Sequence, residues 1–316
     1  MSVSVDTKPR ARDLAFGWRI VDVLIAVRSK FAPVLHGPWV PYAMLIPALA
    51  LVGLLVYGLG NLAWQSFHSF DAFRAQEGAA SLDQYRRIYT GSLSNHIFDT
   101  IGRTVGLSLA AVITNVTLAV PLAYFIVRMR SNAWRLVTLV LLLVPFLIGD
   151  VVRAFGWYIL LGRHGALTWF LGQFGVEDVR VLGTLWAIWL GMIQVGLPIA
   201  VLVLLPAMRR IDPDLERAAA TLGASRWKTW TRIVIPLARP GLASAAVIVW
   251  VLSMTEFAMP QVLGLGRLPF VANELDTMFF FQSNSYVGSA LAMTLLVIVF
   301  AGLLLLTRFG FGRARR

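Results

Sequence analysis

Six runs of mostly apolar residues, each close to the roughly 20 that carry a helix across the bilayer core, constrain this chain more than anything else in it. They lie near Tyr42–Trp64, Ile101–Val127, Trp134–Leu161, Leu182–Met208, Pro240–Pro260 and Val287–Leu306. Hydrocarbon offers no partner to a free backbone N–H or C=O, so such segments cross it as helices that satisfy themselves. The expected fold is an all-α membrane protein with six transmembrane helices over residues 41–308. A chain of 316 residues also has room for two soluble domains. Its 58% hydrophobic and 14% charged residues argue against that, since soluble domains average about 25% charged residues.

Lysine and arginine set the topology. With six spans both termini share a side. The leader of residues 1–40, the Arg128–Arg135 turn, the Arg209–Arg239 loop and the tail of residues 309–316 with nearby Arg308 carry 6, 3, 7 and 4 of the 28 basic residues. The positive-inside rule then places both termini and that loop in the cytoplasm. Topology and anionic lipid headgroups account for most of the net charge of +12, so no nucleic-acid partner is called for. In the leader, Arg19, Asp22, Ala26 and Ser29 recur at helical spacing among apolar residues, a pattern that suits a helix lying on the membrane face. Before Asp13 a disordered basic tail fits equally well. The leader is long for the basic region of a cleavable signal, so the first span reads as a retained anchor. Outside the membrane the longest loop is Gln65–Thr100, in which Ser81 is the expected cap of a short helix.

Several chemistries are missing. The chain has no cysteine, hence no disulfide and no thiolate metal or redox chemistry. His36, His68, His96 and His164 are scattered without metal-ligand spacing. There is no Walker phosphate loop, no Ser-His-Asp constellation and no catalytic carboxylate pair. Neither a metal nor a cofactor is expected, and the chain does not read as an enzyme. Any energy from ATP would have to enter through another chain.

Between the fourth and fifth apolar runs lies a polar, basic stretch, about residues 209–236. Asp212 suits a helix N-cap, Pro213 the first helical position, and Gly223 the left-handed conformation that ends a helix. Leu215, Glu216, Arg217, Ala218, Ala219 and Ala220 lie between them, and the three alanines leave a nearly bare surface that another protein can approach closely. Ser225 can cap a second helix carrying Arg226, Lys228 and Arg232 towards Ile233 and Pro236. The bland alternative is an ordinary cytoplasmic helical hairpin.

This stretch resembles the EAA loop of ABC-importer permeases. Ala218 and Ala219 match the alanine pair, Gly223 the glycine four residues on, Ile233 the isoleucine ten beyond it, and Pro236 the closing proline. Two positions depart: Arg217 stands where a glutamate is usual, with Glu216 one place earlier, and Ile235 where a leucine is usual. A broader resemblance covers about Tyr42 to Leu306. The segments Val152–Trp157 and Leu160–Gly165, Thr255–Pro260 and Asn284–Ala290 are similar to spermidine/putrescine-type permeases. The resemblance implies a six-helix subunit of the bacterial inner membrane. Its implied partners are a second permease, two ATP-binding cassette ATPase subunits and an external solute-binding protein. The loop would dock into an ATPase, and the implied cargo is a small solute of the polyamine kind, though relatives of this type carry others.

Ionisable groups at membrane depth cost several kcal/mol and are functional candidates by default. Asp150 and Arg153 are three apart and share a helix face, and Glu256 lies late in the fifth run. One reading has Asp150 and Glu256 attract a cationic solute in the outward half of the protein. In the other, Asp150 and Arg153 form a structural ion pair and Glu256 bonds to a partner subunit. Asn115 and Gln194 suit interhelical hydrogen bonds; Trp157, Trp169, Trp186 and Trp189 suit interfacial anchors. Pro145 and Pro198 imply kinks.

Two rival classes remain. A proton- or sodium-driven carrier usually shows broken helices repeated across its halves, and no internal repeat is evident. A lipid-modifying enzyme needs a polar cluster near one membrane face, and none exists apart from the loop.

Overall fold

The computed structural model describes residues 40–71, 76–91, 93–174, 180–282 and 284–311. The expected leader helix and the last five residues of the tail lie outside these. The chain forms two compact units, Met1–Asn61 and Leu62–Arg316. Helix α1, Val40–Ser66, makes up the described part of the first and ends in the second.

The second unit opens with an antiparallel hairpin of β1, His68–Asp71, and β2, Gln76–Ala80, with Phe70 opposite Glu77. Helix α2, Asp83–Tyr89, follows. Its N-cap is Leu82 and not Ser81, because the turn begins one residue later than the sequence suggests. Ser81 only accepts a 3.4 Å bond from the Asp83 amide. Tyr85 donates to Ser66 at 3.1 Å, and the Tyr89 and Thr294 hydroxyls meet at 3.0 Å, so α2 is tied down at both ends.

Next come α3 (Ser94–Arg128), α4 (Asn132–Leu147), α5 (Asp150–Leu161), α6 (Ala166–Gly172) and α7 (Leu185–Arg209). Short α8 (Pro213–Thr221) and α9 (Arg226–Thr229) lead through a π-helical turn, Trp230–Val234, into α10 (Ile235–Met254). Then α11 (Ala258–Leu263), α12 (Val271–Asp276), a second π-helical turn (Thr277–Phe281) and α13 (Ser285–Phe311) complete the described chain.

The core lies between α3, α7, α10 and α13. Ala119, Ala123 and Ile126 of α3 meet Val201, Leu204 and Met208 of α7, Ala245 and Val249 of α10, and Ala290 and Leu291 of α13. Lipid tails are as apolar as leucine, so close van der Waals packing holds such helices together, and small residues permit it. A polar tie joins α10 to α13: the Trp250 indole donates to the Val299 carbonyl at 3.2 Å.

Among the described residues five helices are long and apolar enough to cross a membrane. The third run departs from the expected single kinked span. It breaks after α4, and the following segment Asp150–Phe170, which holds α5 and most of α6, is bent from it by 98°. Pro145 cannot donate to the ladder and crowds the preceding turn. Ile148 and Gly149 then turn extended, with ψ of 130° and 149°. The count reaches six only if this bent pair is one span. The fifth run also differs: α10 begins at Ile235, and Thr255–Glu256–Phe257 separate it from α11. Pro198 lies inside α7, which continues past it.

Candidate functional site

The polar loop folds as its local chemistry dictates. Asp212 Oδ1 accepts the Asp214 amide at 2.9 Å, and Pro213 fills the first helical position of α8. Gly223 has φ +76°. Its amide bonds the Ala220 carbonyl at 3.0 Å, and the Ala224 amide bonds that of Ala219 at 2.9 Å, the paired closure of a Schellman end. Ser225 Oγ accepts the Lys228 amide at 3.4 Å and opens α9. Ile233 falls in the π-helical turn and Pro236 in the first turn of α10.

The side chains of α8 divide by face. Leu215 is exposed, and so is Ala218, while Leu222 at the end is 88% exposed and Trp227 beyond it 76%. Ala219 faces inward, only 8% exposed. The alanine stretch is thus not one bare surface as expected, because its middle alanine is buried within the chain's own fold. Arg217 Nη1 meets Asp214 Oδ1 at 2.7 Å with both side chains in solvent, where such a pair contributes little.

Glu216 points the other way. Tyr124 Oη donates to its Oε2 at 2.5 Å, and the Arg128 guanidinium donates to its Oε1. Arg128 Nη2 also reaches the Ile211 carbonyl at 3.1 Å, just past α7. Tyr124 and Arg128 are four residues apart on one face of α3, and the guanidinium lies 5.5 Å from the Tyr124 ring centre. Trp230 meets that ring edge-on at 4.8 Å. A cavity of about 480 Å³ opens beside this group, lined by Tyr124, Glu216, Arg217, Ala220, Arg226 and Trp230 among others.

Beyond the 20 residues of α10, roughly 30 Å of helix, lies a second cavity of about 320 Å³. Asp150 and Glu256 both line it, with Phe146, Thr255 and Phe257. Arg153 pairs with Asp150 but stands behind the wall. Its side chain is 4% exposed against 73% for Asp150, and its Nη1 donates to the Pro145 carbonyl at 3.4 Å. Arg153 therefore satisfies a carbonyl near the end of α4, at the bend. Glu256 Oε1 accepts the Met259 amide at 3.3 Å and so caps α11. Of the three charged candidates, two open onto the cavity and one braces its frame.

The neutral polar candidates join helices. Asn115 donates to the Met192 carbonyl at 3.5 Å, and the Trp157 indole donates to Gln194. Trp186 and Trp189 stack edge to face at 5.3 Å on an apolar surface. Among the described residues no group of His, Asp or Glu is placed to hold a metal ion.

The profile of the "binding-protein-dependent transport system inner membrane component" family matches residues 115–311, a stretch holding both the α8 loop and the second cavity. The chain belongs to this family. Among its relatives, the inner membrane ABC transporter permease protein YdcU of Escherichia coli (strain K12) is 28% identical over 245 residues. That match covers 72% of this chain and 77% of that one. The spermidine/putrescine transport system permease protein PotB of the same strain is 28% identical over 270 residues, covering 85% and 92%. Among solved structures, a bacterial ABC transporter involved in the import of the acidic polysaccharide alginate superposes with a TM-score of 0.68. It is 19% identical, over 90% of this chain and 100% of that one, so it speaks for the fold alone. This permease is thus a multi-pass inner-membrane component of a transport system, and the ion-driven carrier draws no support from these relatives.

Tyr124, Arg128 and Trp230 do not stand out in the sequence. The only available signal is that Tyr124 and Arg128 share a helix face at the end of a span.

Proposed function

We propose that this chain is the permease subunit of an ATP-driven ABC importer for a small, polyamine-like solute. The observation that carries the reading is α8: a capped helix at one end of the bundle, with Leu215, Ala218 and Leu222 left to solvent, in a member of a binding-protein-dependent family. The chain crosses the membrane six times, with the bent α4–α5 pair as one span and both termini in the cytoplasm. The loop of about residues 209–236 is the cytoplasmic coupling element, residues 1–40 form the leader and 309–316 the tail. One ATPase of a pair receives α8. A second permease completes the pathway, and an external binding protein delivers the solute.

Transport is by alternating access. ATP closes the ATPase dimer, and α8 carries that movement into the bundle. The outward cavity then passes its solute along the interface with the sister permease. Asp150 and Glu256 give that cavity acidic walls in an otherwise apolar setting, which favours an amine over an anion. Support for a polyamine comes from the spermidine/putrescine permeases it resembles. Another relative, the ferric transport system permease protein FbpB of Actinobacillus pleuropneumoniae, makes a metal cargo the competing outcome.

Copurification with an ATPase, followed by ATP-dependent uptake of putrescine into proteoliposomes loaded with the complex, tests the reading. Uptake that survives ATP depletion but collapses with an uncoupler would overturn it.

A further inference from the structure

We infer that Glu216, Tyr124 and Arg128 form a clamp that makes α8 move as one body with α3, so the stroke of the ATPase enters the bundle through the second span. This rests on the coupling role proposed above for α8, and it assigns positioning residues within it.

The carboxylate of Glu216 is used up inside its own chain. One oxygen takes the Tyr124 hydroxyl at 2.5 Å and the other the Arg128 guanidinium. Both donors stand on one face of α3, one turn apart, so the fork fixes the angle of α8 as well as its position. Arg128 closes the frame by holding the Ile211 carbonyl at 3.1 Å, in the connection between α7 and α8. Side-chain exposures of 23% for Arg128 and 19% for Glu216 keep water from competing freely for these charge-assisted bonds, which are stronger than neutral ones.

A second contact extends the frame. Tyr124 packs edge-on against Trp230 at 4.8 Å, and Trp230 begins the π-helical turn that leads into α10. A π-helical turn holds one extra residue in the helix and is a place where register can change. At its other end α10 reaches Glu256 and the cavity. The clamp therefore sits where α3, α8 and α10 meet. Arg217, one residue on, is turned to solvent with Asp214, leaving it free to face another subunit.

The test uses the full complex with its ATPase and binding protein in proteoliposomes. The readout is the factor by which the binding protein, as isolated, stimulates ATP hydrolysis, whatever solute that protein carries. Glu216→Gln and Tyr124→Phe should each lower that factor, Glu216→Gln by roughly tenfold, within the usual range of coupling between sites. Glu216→Arg should abolish stimulation, and adding Arg128→Glu should restore part of it, since the ion-pair coupling belongs to the pair while the bond to the Ile211 carbonyl is lost. Copurified ATPase is quantified for every variant. If Glu216→Gln fails to assemble, Tyr124→Phe and the exchanged pair decide the matter. Undiminished stimulation in Glu216→Gln and Tyr124→Phe, or no rescue by the exchange, overturns the clamp. A parent complex that binds no ATPase overturns the importer reading instead.

Discussion

The backbone of Gly196 in α7 lies against the side-chain amide of Asn115 in α3, so closely that a Cβ at position 196 would overlap it. Asn115 is fully buried and donates to the Met192 carbonyl one turn earlier in α7. The contact couples the two most central helices of the core at mid-span. Gly196→Val should therefore cost about 1–3 kcal/mol by overpacking, read as a lower thermal midpoint of the purified protein in detergent. An unchanged midpoint would mean that α3 and α7 are not packed as described.

Gly223 offers a cleaner backbone test. Its φ is +76°, and nothing lies within 4 Å of where a Cβ would stand. Any penalty there is conformational, roughly 1–2 kcal/mol for an ordinary L-residue. Gly223→Asn should keep transport within a few-fold, because asparagine tolerates the left-handed region, whereas Gly223→Val should lose at least about tenfold. Equal activity of both in an uptake assay would remove the left-handed closure from the coupling element.

The two faces of α8 should fail differently. Leu222→Glu changes a solvent-facing side chain and should block capture of the ATPase while the permease itself unfolds at its normal temperature. Ala219→Glu forces a carboxylate into a buried position and should lower thermal stability as well. Pull-down against thermal unfolding separates the two, and identical behaviour would contradict the assigned orientation.

Much of this site is legible in the sequence because its signals are local. Asp212, Pro213 and Gly223 each act through their own backbone neighbours, so the bounds of α8 follow from them without any knowledge of the fold. The inward turn of Glu216 does not, since it depends on Tyr124 and Arg128, 92 and 88 residues away. The bend at Ile148–Gly149 is only hinted at by Pro145, because an apolar run reads the same whether or not it breaks. The hairpin escapes notice for another reason: Gln76–Ala80 is a strand without a β-branched or aromatic residue.

At the far cavity three charges have separate roles. Asp150→Asn and Glu256→Gln should each weaken putrescine uptake, with little change in yield of assembled complex. Arg153→Leu strands the Pro145 carbonyl and the Asp150 charge, so it should reduce folded protein first. Assembled yield beside the KM for uptake distinguishes these cases. Normal uptake in both acidic variants would take the cavity out of the pathway.

Coupling in this transporter requires that an ATPase on the cytoplasmic side grip the exposed face of α8. The chain has no cysteine of its own, so Leu222→Cys provides a single reactive thiol. Crosslinking that thiol in the intact complex, in inside-out membrane vesicles, measures the contact directly. The account predicts an ATP-sensitive adduct with the ATPase subunit. No adduct, or labelling of the thiol by an impermeant reagent only from the outer face, would contradict it.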